Sequence, residues 1–501
     1  MKPPSIWRAN LERIYPFLIL VFLQTLSFGI FTHRLGFYHD DWYNLEVWSR
    51  AENSWRLACA SGHWTRPAEY VLGPALFAVG GLSPLPYHIL ILLLQTVESL
   101  LLFVFFERLT GWRPFALIAA ALALMYPNRA ITHVWFSGIP QILAQGLVLG
   151  SLLSHLHWIG SRQARHLLLS QALYLLSLLS YESCMFMPAM LAGGLLRPGG
   201  RPAACIRQTL RDIAPYLVTL ALALSWQWLA VPRLFQAGNP KSHLLGFSAL
   251  HALEVYWLGL QCVTTKVFQT SFADLPDAVR NASWTVIALW AAFTAGAVGV
   301  LEREVRATGL KCPQGGALGA ALAGFVAAYA PYAVSRGYPP LDYGPLSRVN
   351  GCGAWIGGLV LATCIFHGLQ RKRWLSTAAL AVVIGAFTWN NWYTLSQWQR
   401  SWMVQKDILT KARQKVAHLP GPAMIMLTDY PLWIKSAFVF AAPWDFGSAL
   451  SLSTGRRDIS GATVASRKTE QELEGFRRNG RLYLYDYGHD TLTPDLRPQT
   501  P

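Results

Sequence analysis

Eleven apolar stretches separated by polar or basic connections limit what this chain can become more than any short motif does. They run at about 14–31, 87–106, 113–126, 142–159, 166–180, 183–196, 213–231, 285–301, 316–334, 351–369 and 374–394. A membrane-crossing helix needs about 20 mostly apolar residues. Most of the stretches qualify, and those at 113–126, 166–180 and 183–196 are short for a full crossing, which leaves them tilted, broken or paired differently. Composition points the same way: 53% of the 501 residues are hydrophobic, 14% are charged and the mean hydropathy is +0.30. Soluble domains carry more charge than this. The sequence therefore predicts an all-α polytopic membrane bundle of about eleven transmembrane helices.

The net charge of +16 does not imply nucleic acid, because the basic residues form short clusters between apolar stretches and no single patch. Lys and Arg in short loops mark the cytoplasmic side. The clusters Lys2, Arg8 and Arg13; Arg108 and Arg113; Arg162 and Arg165; Arg197, Arg201, Arg207 and Arg211; Arg303, Arg306 and Lys311; and Arg371, Lys372 and Arg373 fall on alternate connections. This alternation predicts a cytoplasmic N-terminus, with the first apolar stretch retained as an anchor. It also puts the tail after about residue 395 outside, together with the loops holding Asp40, Glu182, Arg336, Asp342 and Arg348.

Residues 1–395 read as the membrane module, with long outside segments at 32–86 and 232–284, and residues 396–501 as a small extracytoplasmic α/β domain with a disordered end. In that tail a helix is expected over Gln397–His418 and strands over Ala423–Leu427 and Arg481–Tyr487. Asp429 and Asp445 read as surface turns. The seven cysteines form no Cys-x-x-Cys and no paired Cys and His clusters, which argues against a structural zinc site.

The chemistry-bearing residues gather on the outside connections. Tyr38-His39-Asp40-Asp41-Trp42-Tyr43 follows the first apolar stretch and sets two adjacent carboxylates beside interfacial aromatics. Carboxylates near hydrocarbon need water, a cation or a substrate hydroxyl. Asp40 also fits as the cap of a helix from Asp41 to Arg50 whose Trp42, Leu45 and Trp48 share one face. Neighbouring helical residues point about 100° apart, so at most one of the two acids faces a substrate. With His39, the pair is also a candidate site for a divalent cation, Mg or Mn. Glu182 is a further candidate catalytic residue: it lies between two apolar stretches and needs a partner, either a substrate group or an outside arginine. Arg348, Arg336 and Arg66 are candidate phosphate ligands, since guanidinium contacts phosphate oxygens in pairs, and Arg348 also fits a snorkelling role. The acids cluster at the outer edge of the expected spans, whereas a transporter places charges within them.

Several ordered landmarks extend this reading. After the Asp-Asp pair come His63-Trp64-Thr65-Arg66-Pro67, Pro86-Tyr87-His88, Ser180-Tyr181-Glu182 and Tyr343-Gly344-Pro345-Leu346-Ser347-Arg348. Over roughly residues 14–350 the chain resembles the GT-C-fold polytopic glycosyltransferases, which take sugars from polyprenyl phosphates. The resemblance implies that Asp40 or Asp41 acts as base or helps to hold a metal and the acceptor. It implies further that an outside arginine meets the donor phosphate, and that His39, Trp42, Tyr43, His63, Trp64 and Tyr343 contact substrate. Tyr181 stands where the family's Ser-Lys-Glu element has its lysine, so one cation that could touch the donor is missing. The implied setting is a bacterial inner membrane, and the implied partners are a polyprenyl-phosphate-linked sugar, membrane lipids and a glycan, lipid or protein acceptor. A non-catalytic scaffold of the same fold and a lipid-glycan transporter are the alternatives.

Overall fold

The computed structural model of the chain describes residues 6–50, 65–195, 202–231, 233, 246–273, 275–308, 316–335, 347–442, 444–463 and 470–495. Its helices are α1 (Ile6–Ser27), α2 (Asp40–Arg50), α3 (Pro67–Gly80), α4 (Pro84–Thr110), α5 (Arg113–Leu124), α6 (Ile139–Ser161), α7 (Ala164–Ser180) and α8 (Ala189–Leu195). They continue with α9 (Pro202–Ser225), α10 (Ala249–Val263), α11 (Thr265–Ala273), α12 (Leu275–Asn281), α13 (Trp284–Thr308), α14 (Gly316–Ala333), α15 (Gly351–Arg371) and α16 (Arg373–Val416).

Among the described residues, seven segments are long and apolar enough to cross a membrane: Ile14–Arg34, Pro84–Thr110, Phe136–Ser161, Ile206–Ala230, Trp284–Arg306, Gly316–Ala333 and Arg348–Gly368. These coincide with seven of the eleven expected stretches, and the other four take different forms. Helix α5 has 12 residues, about 18 Å of rise, and is buried from Pro114 to Leu124. Helix α7 has 17 residues. The stretch 183–196 breaks into a 3-10 turn at Glu182–Cys184 and the seven-residue α8. The stretch 374–394 is the first half of α16, a single helix of 44 residues that includes most of the separate helix expected over Gln397–His418. Short or irregular backbone is compatible with a membrane setting where other protein seals it, as it seals α5. The outward faces are apolar instead of polar: Leu18, Phe22, Leu217, Leu222 and Leu289 are between 50% and 62% exposed.

Small residues let the inner helices touch. A Cβ on Gly358 of α15 would lie 2.4 Å from the Ala119 carbonyl oxygen of α5, and one on Gly193 of α8 would lie 2.0 Å from that of Gly319 in α14. Close helix crossings in lipid rely on such positions. In the middle of the bundle, Arg129 Nη1 and Nη2 donate to the two oxygens of Glu98 at 2.9 and 2.7 Å, and Trp355 Nε1 donates to Glu98 Oε1 at 2.7 Å. Both side chains are sealed, at 3% and 1% exposure. This corrects the expectation that the acids lie only at the outer edge, since Glu98 sits midway along α4.

Helix α16, about 66 Å long, joins the bundle to the C-terminal domain. That domain has strands β1 (Ala423–Thr428), β2 (Trp433–Ile434), β3 (Ala437–Phe438), β4 (Ile459–Thr463), β5 (Leu482–Asp486) and β6 (Thr491–Pro494), with helices α17 (Asp445–Thr454) and α18 (Glu470–Arg478). The main sheet has the order β4-β1-β5-β6; β1 runs parallel to both neighbours and β6 is antiparallel to β5. The α/β character expected of the tail is present. The domain shares one core with the start of the chain, in which Phe37, Trp42, Leu45 and Trp48 join Ile408, Ile425, Phe446 and Leu450.

Candidate active site

The geometry starts in the link between α1 and α2. Gly36 lies against Trp402 so closely that a Cβ would meet the ring at 1.9 Å. The buried Tyr38 hydroxyl accepts the Gly36 N–H at 3.0 Å and donates to the Trp398 carbonyl at 2.9 Å, which ties the link to α16. His39 then adopts a left-handed backbone with φ of 53°, uncommon for a residue with a side chain.

Fixed in this way, the two acids separate. Asp41 Oδ2 accepts the Tyr38 N–H at 3.0 Å, the returning half of a capping box, and Oδ1 accepts both the N–H and the hydroxyl of Ser137 at 2.9 and 2.7 Å. Its exposure is 0%. Burial holds the Asp41 carboxyl well above the usual carboxylate range despite the donors from Ser137 and Tyr38. Asp40, at 30% side-chain exposure, faces outward, and its Oδ1 lies 2.8 Å from His39 Nδ1 and accepts from Trp444 Nε1 at 3.0 Å. Burial opposes its ionisation, but the hydrogen bond and charge of His39, the charge of Arg348 and the Trp444 indole leave the carboxyl below its usual range. Asp40 is an ionised group and Asp41 a fixed scaffold.

The His39 ring is set edge-on to Trp135, Phe438 and Trp444, with centroids at 5.2, 5.1 and 5.5 Å. Two of these walls come from the C-terminal domain. The third, Trp135, is shared, since the Arg348 guanidinium stands over it at 5.0 Å. Among the described residues Arg348 has no ion pair within 4 Å.

Beside Arg348 lies a cavity of about 350 Å³ whose lining includes Arg66, Tyr181, Glu182, Trp228 and Tyr332. Arg66 and Glu182 face each other as a fork: Nε donates to Oε2 at 2.8 Å and Nη2 to Oε1 at 2.6 Å. Arg66 also stacks over Tyr181 at 3.9 Å. The pair thus takes the second of the roles expected for Glu182, a bridge to an arginine. The Thr65 carbonyl accepts from Gln227 Nε2 at 3.3 Å, tying the rim to the π-helical turn Trp226–Ala230 that extends α9.

Of the other expected residues, Trp42 is 5% exposed and donates its indole N–H to Gln405 Oε1 at 2.9 Å, which makes it part of the packing. Tyr43 is 45% exposed. His63, Trp64, Arg336 and Tyr343 lie outside the described residues. A divalent cation does not fit the acid pair as folded, because N–H and O–H donors already occupy both oxygens of Asp41 and Oδ1 of Asp40. One free carboxylate oxygen is far from the six ligands, roughly, that such ions take. Another set with metal-ligand spacing, Asp429, Asp486 and His489 within 4.8 Å of one another, comes from the end of β5 and the turns after β1 and β5.

Sequence reasoning missed Trp135, Ser137, Phe438 and Trp444, which reach the site from distant parts of the chain. It also misplaced Asp445. Expected on a surface turn, that residue is buried at 0% exposure and accepts the N–H groups of Ala441, Ala442 and Phe446 at 2.8, 2.9 and 2.7 Å. Its position at the head of α17 was the available signal. Burial pushes its carboxyl up to about 7, against the N–H of Ala442, the charge of His39 and the N–H groups of Phe446 and Ala441. Asp429, by contrast, is a surface turn at 63% side-chain exposure.

In comparisons with protein-family models and with curated proteins, nothing matches this chain.

Proposed function

We propose that this chain is a multi-pass membrane glycosyltransferase that moves a sugar from a polyprenyl phosphate to an acceptor hydroxyl at the outer face of a bacterial inner membrane. Its topology on this reading has eleven strokes, of which α5, α7, the turn with α8, and the first half of α16 are the short or partial ones. The N-terminus is cytoplasmic and the C-terminal domain extracytoplasmic.

What supports the reading is the meeting, across Trp135, of an ionised carboxylate with its imidazole on one side and, on the other, an arginine that has no ion pair among the described residues. Glycosyl transfer needs both poles. One removes the acceptor's proton as its oxygen attacks the anomeric carbon, and the other meets the negative charge that builds on the departing phosphate. The cavity beside Arg348 is lined by Tyr181, Trp228 and Tyr332, whose rings suit a sugar or the first prenyl units. The resemblance over residues 14–350 supports the same assignment.

The test is the lipid that accompanies the protein. After extraction in mild detergent, mass spectrometry of wild type is expected to find a polyprenyl phosphate or its sugar ester, and Arg348→Ala is expected to lose it. A wild-type preparation with no prenyl phosphate after incubation with the pure lipid contradicts the proposal.

A further inference from the structure

We propose that His39 Nε2 is the proton acceptor of this site and that Asp40 is the residue that positions it. The inference rests on the glycosyl-transfer reading and changes its base from the carboxylate to the imidazole. Four observations carry it. An ionised Asp40 can only accept hydrogen bonds, so the 2.8 Å contact places a hydrogen on His39 Nδ1, and it is in the neutral form of the ring that the lone pair stands on Nε2. Among the described residues Nε2 has no hydrogen-bond partner, while the side chain keeps 18% exposure. The left-handed backbone at position 39 is a strained conformation for a side-chain-bearing residue, and such strain gathers at functional positions. Finally, the three edge-on rings hold the imidazole plane, and one of them, Trp444, also fills the second lone pair of Asp40 Oδ1. The same oxygen that orients His39 is thereby withdrawn from proton transfer.

The acceptor's O–H bond breaks as its oxygen bonds to the anomeric carbon, and the proton passes to His39 Nε2. The bond from that carbon to the phosphate oxygen breaks, and its electron pair leaves on the polyprenyl phosphate, where Arg348 meets the charge. Asp40 Oδ1 stabilises the imidazolium, which then returns its proton to solvent. This is the division of labour that an aspartate and a histidine adopt in nucleophile-activating triads.

Position 39 permits a clean test, because glycine accepts a positive φ without strain. Purified full-length His39→Gly, His39→Gln and Asp40→Asn are compared with wild type in lipid nanodiscs, following release of polyprenyl phosphate from its sugar ester. His39→Gly and His39→Gln are each expected to lose turnover by about 10²–10⁴-fold, with melting temperatures close to wild type. Added imidazole is expected to restore turnover to His39→Gly in a concentration-dependent way and to leave Asp40→Asn unimproved. Wild-type rates in His39→Gln, or a folded His39→Gly that imidazole does not rescue, overturn the assignment of the base while leaving the glycosyl-transfer reading intact. A wild type that releases no polyprenyl phosphate from any sugar ester overturns that reading itself, and this inference with it.

Discussion

Two carboxylates lie beside the apolar heart of this protein, and their surroundings differ in the one respect that decides what each can do. Glu98 is at 1% exposure; both its oxygens are taken by Arg129, and Oε1 also by Trp355. Asp40 is 30% exposed, uses Oδ1 for His39 and Trp444, and among the described residues has no hydrogen bond on Oδ2. A sealed charge whose two oxygens both accept from fixed donors is out of reach of a substrate and serves the fold. A partly exposed carboxylate that holds an imidazole on one oxygen can position that ring for chemistry. Arginines repeat the contrast: Arg129 and Arg66 are forked onto glutamates, while Arg348 faces a ring and a cavity.

This comparison is sharpest where one substitution should break the fold and another only the activity. Removing one partner of a sealed ion pair leaves the other uncompensated, so Glu98→Gln or Arg129→Met should cost about 3–5 kcal/mol. Thermal unfolding in detergent, together with the yield of folded protein, checks this. Asp40→Asn should keep the wild-type melting temperature and reduce transfer by about 10²–10⁴-fold. If Asp40→Asn melted as early as the Glu98 variant, the contrast between the two carboxylates would be lost. Next in size, Arg348→Ala should lower the transfer rate by about 10²–10³-fold, with Arg348→Lys intermediate because ammonium lacks the planar fork.

Asp445 adds a pH test of how the C-terminal domain is held. Its folded pKa, about 7, lies above the unfolded value of about 3.9, so the folded state binds its proton more tightly. That contribution to stability is complete below about pH 4 and is lost as pH rises through 7. The melting temperature of wild type should fall between pH 5 and pH 8 by more than that of Asp445→Asn; equal pH dependence would remove Asp445 from the account. The smallest effect belongs to Trp444→Phe. It deletes one hydrogen bond to Asp40, worth about 1 kcal/mol, so turnover should drop only a few-fold in a kinetic assay.

The sequence made the membrane class legible because apolar length is a one-dimensional property. It also showed the acid pair, since Asp40 and Asp41 are neighbours whatever the fold. It could not show which of the two is open. That choice depends on Ser137, 96 positions away from Asp41, and on Trp444, 404 positions from Asp40. The short strokes at 113–126, 166–180 and 183–196 were legible by length, but what makes them tolerable was not. Hydropathy records how apolar α5 is, whereas its 12-residue length is acceptable only because α4 and α15 cover it. Glu98 was readable as a carboxylate inside an apolar run, but its partner Arg129 lies beyond α5 and gave no local sign.

The most direct measurement is release of polyprenyl phosphate from a panel of its sugar esters by purified wild type, Asp40→Asn and Glu98→Asp, each scaled to the folded fraction. The account predicts release by wild type with at least one ester, a loss of about 10²-fold or more in Asp40→Asn, and near-normal release per folded molecule in Glu98→Asp. Undiminished release by Asp40→Asn, or selective loss in folded Glu98→Asp, would contradict it.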